Sequence, residues 1–253
     1  MKCDVVIQGP VTGIINDVID KYREQPWVDK IILSSWNDSE MFLVRPDITC
    51  LYQPLPENMG IGNRNAQIVS SREGLKLATS SYAIKARSDQ IIEDLPMMWD
   101  FFNANKARGG IFTLGLYRDF PFHPRDHFFM ATTWRLQRLF DAKLDPDSGS
   151  QDYNRHTRAE TWLGAQYIGK HSRIVLDMFN NWQDFLTDNA PRRAEAMAED
   201  ARTKGVYFKA FPRIKMRWPK YGLAEYHYDI GEAHSEYWHE EAENMAGDQV
   251  AAT

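Results

Sequence analysis

Lys85, Arg87 and Asp89 stand at alternate positions in a largely apolar stretch, Ser81 to Ile92. The two-residue period of a strand puts all three on one face and Tyr82, Ile84 and Ala86 on the other. Three charges on one face of a buried strand are costly unless they are paired, hydrated or coordinated. A solvated edge strand or a structural Arg–Asp pair would account for them. The alternative is a central strand whose C-terminal end carries a polar site, since ligands of open α/β sheets sit just beyond those ends. Two further groups could take part. Asn63, Arg64 and Asn65 open a predicted helix, whose N-terminus attracts phosphate, although they would equally cap and solvate it. Glu160 falls in the first turn of another predicted helix, where the helix dipole favours a carboxylate with or without a catalytic role.

The elements that must position these groups follow a clear rhythm. Cys3 to Ile7 is strand length, and Gln8-Gly9-Pro10-Val11-Thr12 closes it in a tight turn. Ile14, Ile15, Val18, Ile19 and Tyr22 have helical spacing, and Pro26 ends the run. Lys30 to Leu33 is a second strand with the polar exit Ser34-Ser35-Trp36-Asn37-Asp38, and Asp47 to Tyr52 a third. The loop Gly60-Ile61-Gly62 leads into a helix over residues 63–78. It misses a dinucleotide fingerprint, because Asn65 stands at the third glycine position and no strand leads directly into it. Later come a helix from Pro96 to Phe102, a strand from Ile111 to Leu116, and the titratable, aromatic loop Phe120 to His127. A strand over Phe128 to Thr132, helices over Trp134 to Phe140, Arg158 to Ile168 and 181–204, and a strand over Val206 to Phe211 complete the chain. This β-α-β order predicts an α/β fold with a mostly parallel sheet and right-handed crossovers. That topology brings three polar exits, Gln8 to Pro10, Ser34 to Asp38 and Arg87 to Asp89, to one sheet edge.

The composition, 43% hydrophobic and 26% charged, argues against disorder, and 253 residues suffice for one large domain or two small ones. A formal charge of -5 gives no drive toward nucleic acid. Cys3 and Cys50 fall in separate predicted strands without a metal motif, and read as reduced core residues of a cytosolic protein. No signal peptide pattern is visible, and no run approaches the roughly 20 apolar residues of a membrane span. Peripheral membrane contact stays open, because Arg213, Lys215, Arg217 and Lys220 form a basic run that could meet a diphosphate or an anionic lipid. The same run could be a solvated strand edge. His227, His234 and His239 lie in the acidic stretch beyond it, at spacings unlike a structural zinc site.

Four blocks resemble, in this order, the WavE-type lipopolysaccharide synthesis family. They are Val5-Val6-Ile7-Gln8-Gly9-Pro10-Val11, Ile31-Ile32-Leu33-Ser34-Ser35-Trp36, Asn63-Arg64-Asn65-Ala66-Gln67 and Tyr82-Ala83-Ile84-Lys85-Ala86-Arg87-Ser88-Asp89. The resemblance implies a GT-A-like nucleotide-diphospho-sugar transferase fold, a mixed, mostly parallel sheet flanked by helices. It divides a single domain into a donor-nucleotide half (1–105), an acceptor half (106–211) and a tail (212–253). It implies a glycosyltransferase that moves a sugar from a nucleotide-diphospho-sugar to a glycan or glycolipid acceptor of the cell surface. The setting would be cytoplasmic, with peripheral contact at the inner face of the membrane left open. In that fold an Asp-x-Asp motif at the end of a central strand holds Mn²⁺ or Mg²⁺ on the donor diphosphate. The matching residues here are Arg87-Ser88-Asp89-Gln90, where Asp89 alone supplies a carboxylate, and His234 or His227 would be recruited to help it. Lys85 and Arg87 could supplement or partly replace the metal.

The resemblance also assigns the remaining roles. Gln8, Gly9 and Pro10 would line the nucleoside, with Trp36 stacking on the base or packing. Asn63, Arg64 and Lys85 would face the diphosphate or sugar, beside Arg87 and Ser88. An inverting transfer needs a base for the acceptor hydroxyl; Glu160 fits by position and Asp126 is second. Two other readings remain. A sugar nucleotidyltransferase is disfavoured because the Gln8 to Thr12 turn lacks Lys and Arg. A silent nucleotide- or glycan-binding module is favoured by the missing second carboxylate.

Overall fold

Strand alternation decides which helix covers which face of the main sheet. In the computed structural model, which describes residues 1–37, 45–116, 121–146, 159–180, 190–211, 214–217 and 225–228, β1 is Cys3–Gln8 and every residue of it is buried. Its Cys3, Val5 and Ile7 pack with α1 (Ile15–Arg23) and α3 (Leu95–Asn105) in one core cluster. Val6, pointing the other way, packs with α2 (Arg64–Lys76), α4 (Thr133–Phe140) and α5 (Ala159–Gly169) in a second. The period-two pattern of the sequence therefore sorts the helices into two layers around one sheet.

That sheet has seven strands. Besides β1 they are β2 (Val28–Trp36), β3 (Thr49–Gln53), β4 (Tyr82–Arg87), β6 (Ile111–Thr113), β7 (Phe128–Thr132) and β8 (Phe208–Ala210), in the order β3-β2-β1-β4-β7-β6-β8. Strands β3, β2, β1 and β4 run parallel to one another. Strand β7 runs antiparallel to both β4 and β6, and β8 is parallel to β6. The fold is thus mixed α/β, mostly parallel and flanked by helices. Because β7 is reversed, its beginning lies at the same edge as the ends of β1, β2 and β4, and this reversal builds the site.

The stretch from Ser81 is a short strand running into a turn, as its residues suggest, but a second short strand follows. Strand β4 ends at Arg87, the chain turns at Ser88 and Asp89, and β5 (Ile91–Ile92) joins a second sheet, β10-β9-β5. There β9 (Ile214–Arg217) buries Ile214 and Met216, and pairs with β5 and with β10 (Glu225–Tyr228). Arg217 pairs with Glu93, which also holds Lys21 at 2.8 Å. Part of the basic run is therefore engaged in the fold, while Arg213 and Lys220 lie outside the described residues. Helix α6 spans Arg173–Asn180, and α7 spans Ala190–Tyr207. The late strand is shorter than its apolar run, because α7 extends through Val206, which is 60% exposed. Among the described residues, no helix is long and apolar enough to cross a membrane.

Candidate functional site

Three strand ends are stitched side by side. Gln8 lies between Ser34 and Arg87 in the parallel register. The Ser88 N–H donates to the Gln8 carbonyl at 3.0 Å, the Gly9 N–H to Ser34 at 3.2 Å, and the Thr12 hydroxyl to the Ser88 carbonyl at 3.0 Å. Gly9 has φ +125°, and a Cβ there would come 2.6 Å from the Ser88 hydroxyl oxygen. Only glycine suits both the angle and the space. Beneath this edge the Ser70 hydroxyl of α2 donates to the Gln8 amide oxygen at 2.8 Å, and the Ser34 hydroxyl to the Ser70 carbonyl at 2.7 Å. The polar floor is satisfied by these bonds, so it can be buried without penalty.

Arg87 and Asp89 form a fork. The guanidinium donates from Nε to Oδ1 at 2.9 Å and from Nη2 to Oδ2 at 2.8 Å. Burial opposes the Arg87 charge, but the Asp89 carboxylate outweighs it and raises the guanidinium's pKa. Lys85, two residues earlier, is wholly buried and donates to the Asp126 backbone carbonyl at 2.5 Å. Its ammonium lies 5.8 Å from the Phe129 ring and 5.9 Å from the Phe140 ring. Burial pushes its pKa down to about 8, with the Asp126 carboxylate opposing the drop.

This depression has a stability consequence. Below pH 8 the ammonium is charged in both folded and unfolded chains, and its burial cost is fully present. Between about 8 and the ordinary 10.5 the unfolded chain binds the extra proton, so stability rises with pH. Melting curves across that window should show a gain in the wild type that Lys85→Met lacks.

The antiparallel strand supplies the acids. Asp126 and His127 stand just before β7, opposite the end of β4, where Ala86 pairs with Phe128. Burial would raise the Asp126 pKa, but the Lys85 charge first, then His127 where acid protonates it, Arg87 and a hydrogen bond with Glu160 hold it well below the usual carboxylate range. The Gln67 amide of α2 donates to its Oδ2. Lys85 and Arg87 lie among the acidic side chains of Asp89, Asp126 and Glu160, whose charges favour both cations. Burial drives the His127 pKa down to about 3 despite Asp126, so the ring is neutral, and its Nδ1 pairs with the Gln90 amide at 2.5 Å.

Helix α5 brings Glu160 to this pair. His123, fully buried, hydrogen-bonds through Nδ1 to the Thr161 hydroxyl at 2.9 Å and places Nε2 3.9 Å from the Glu160 carboxyl. One turn on, Gly164 lies so close to the 122–124 backbone that a Cβ would sit 1.9 Å from the Phe122 carbonyl oxygen. Phe122 has φ +56° and is fully buried, and its N–H donates to Asp200 at 2.6 Å. A left-handed bulky residue costs of order 1–3 kcal/mol and persists where its surroundings over-determine it. Here those surroundings hold the segment that carries Asp126.

The structure brings Gln8, Gly9, Lys85, Arg87, Ser88, Asp89, Asp126 and Glu160 to one edge. Pro10 follows them, exposed. Trp36 is 6% exposed, packed at the end of β2. Asn63 is exposed and left-handed at φ 61°, ahead of α2. Arg64 is buried, with Nη1 3.1 Å from Asp145 and its guanidinium 4.8 Å from the Trp162 ring. Its observed partners tie α2 to the segment around Asp145, as do the Asn65 amide bonds there at 2.7 and 2.8 Å. His234 lies outside the described residues, as does the His227 side chain. Gln67, Gln90, His123 and His127 were not singled out from the sequence as site residues. Their signals were the density of titratable groups over Phe120 to His127, the last position of one family block for Gln67, and for Gln90 the end of the Arg87-Ser88-Asp89-Gln90 stretch.

A divalent cation needs several hard oxygen ligands. At the strand exit both Asp89 oxygens face the Arg87 fork, Gln90 is tied to His127, and Ser88 lies against Gly9. Among the described residues no three acidic, His or Cys groups gather as a metal cluster. These residues do not present a ready divalent site.

With this geometry in hand, comparison with known proteins is informative over the first part of the chain. Residues 3–101 match the WavE lipopolysaccharide synthesis family. The WavE match contains the three strand exits, Lys85, the Arg87–Asp89 fork and Gln67; Asp126 and Glu160 lie beyond it. Among solved structures, S. aureus TarS 1-349 superposes with a TM-score of 0.42 at 11% identity, over 66% of this chain and 55% of that one. HddC from Yersinia pseudotuberculosis gives 0.37 at 13%, over 62% and 87%. Francisella tularensis 2-C-methyl-D-erythritol 4-phosphate cytidylyltransferase gives 0.35 at 14%, over 56% and 77%. The chain spans about half the length of the TarS chain it matches. No curated protein matches it.

Proposed function

We propose that this protein is a glycosyltransferase that moves a sugar from a nucleotide-diphospho-sugar to a hydroxyl of a glycan or glycolipid in lipopolysaccharide or surface-polysaccharide synthesis. The observation that carries the reading is the meeting, at one sheet edge, of a cationic pair, Lys85 and Arg87, with a hydrogen-bonded carboxyl pair, Asp126 and Glu160. The WavE match over residues 3–101 supports the pathway class.

The chemistry asks for both halves. As the bond from the anomeric carbon to the diphosphate breaks, the leaving oxygen takes the electron pair, and preorganised positive charge lowers that barrier. As the acceptor oxygen bonds to the anomeric carbon from the opposite side, its proton must go to a base. Asp126 and Glu160 are in contact, so their titration belongs to the pair. Glu160, the more exposed partner, is placed to take the acceptor's proton. Gln8, Gly9 and Pro10 would line the nucleoside. The test is donor hydrolysis over a panel of UDP-, GDP- and dTDP-sugars. Release of one nucleoside diphosphate, faster with acceptor, is expected. Turnover only with a nucleoside triphosphate and a sugar 1-phosphate would replace this reading with nucleotidyl transfer.

A further inference from the structure

Resting on the donor-site reading above, we infer that the donor diphosphate is gripped by the Arg87 guanidinium, released from Asp89, and not by a divalent cation seated on Asp89. Asp89 is then a placeholder that aims the fork in the empty site and yields it to the ligand.

Three observations carry this. First, the Asp89 carboxylate is already committed, with both oxygens within 2.9 Å of guanidinium nitrogens. A cation arriving there would have to break a bidentate pair and then sit against the displaced guanidinium, a like charge. Second, the flanking side chains add no anionic ligand: Gln90 engages His127 and Ser88 engages the Gly9 turn. Third, a phosphate fits the same fork as a carboxylate does, bidentately, and brings more charge. The Arg87 and Asp89 side chains are 28% and 22% exposed, so partners can exchange there without opening the core. Lys85 cannot take this role by contact, since it is buried and fixed on the Asp126 carbonyl. It contributes through its charge, and it holds the acid segment.

The placeholder and metal-ligand roles predict opposite signs for one isosteric change. Removing a competing carboxylate should tighten an anion at Arg87, whereas removing a metal ligand should abolish metal-dependent binding. The experiment is calorimetric titration of the full chain with inorganic pyrophosphate, once with EDTA and once with Mn²⁺. Wild type and Asp89→Asn, Arg87→Gln and Arg87→Lys are compared, with melting curves confirming each fold. The expected result is equal wild-type binding in both buffers and equal or tighter binding by Asp89→Asn. Arg87→Gln should weaken binding by roughly tenfold or more, the scale of one lost charge-assisted bidentate contact. Arg87→Lys, which keeps the charge but not the fork, should fall between. Binding that requires Mn²⁺ and disappears in Asp89→Asn would overturn the inference and leave the transferase reading intact. Donor hydrolysis without any pyrophosphate binding would overturn it too. Pyrophosphate behaving as expected, with no donor hydrolysed, would instead remove the transferase reading.

Discussion

Glu160→Gln should reduce sugar transfer by about 10²–10⁴-fold, the span attributed to a positioned general base, and leave the melting temperature nearly unchanged. The amide is isosteric and can still donate to Asp126, so the contact that joins α5 to the start of β7 survives. What it cannot do is accept a proton from an acceptor hydroxyl. Its side chain is 19% exposed, so the substitution opens no cavity. The acidic limb of the pH–rate profile, which reports the carboxyl pair, should vanish with the activity. Substrate binding should change little, since the lost interaction forms only as the acceptor reacts. An undiminished rate in folded protein would move the base to Asp126 or elsewhere.

Gly164→Ala should be the most damaging conservative change. The added methyl would meet the Phe122 carbonyl oxygen at 1.9 Å and the Pro124 ring carbon at 2.9 Å. The first of these is backbone and cannot rotate away. Overpacking a close contact costs typically about 1–3 kcal/mol, and this one also strains Phe122, already left-handed at φ +56°. Relief requires α5 to back away from the loop, which parts Glu160 from Asp126. Denaturant unfolding should therefore show lost stability together with lost transfer. Ala at Gly13 or Gly205, where nothing lies within 4 Å of a Cβ, provides the control and should leave both unchanged.

Much of this architecture was legible in the residues. The turn after Ile7 marks the end of β1, whereas the polar residues after Leu33 and the charges after Ile84 begin inside β2 and β4, which run on to Trp36 and Arg87; parallel topology carries all three strand ends to one edge. The period-two assignment of Lys85 against Tyr82, Ile84 and Ala86 matches the two core clusters that flank β4. What alternation could not give is anything that depends on a turn or on reversed pairing. Strand spacing sets Arg87 and Asp89 side by side, but the turn at Ser88 folds the carboxylate onto the guanidinium. Asp126 and Glu160 were weighed as competitors, because sequence does not tell that β7 runs backwards and delivers one to the other. Arg64 reads equally as a solvated helix start or as a diphosphate-facing cation, and only the packing of α5 reveals Trp162 and Asp145 around it. Ile91 and Ile92 continue an apolar run, yet they pair with β9 from far along the chain.

The most direct measurement is release of nucleoside diphosphate from UDP-, GDP- and dTDP-sugars by the wild type beside Glu160→Gln. The account predicts release from one donor class, accelerated by a glycan or glycolipid acceptor and suppressed in the variant. No release from any donor, with the protein folded, would contradict it and leave a site that binds without transferring.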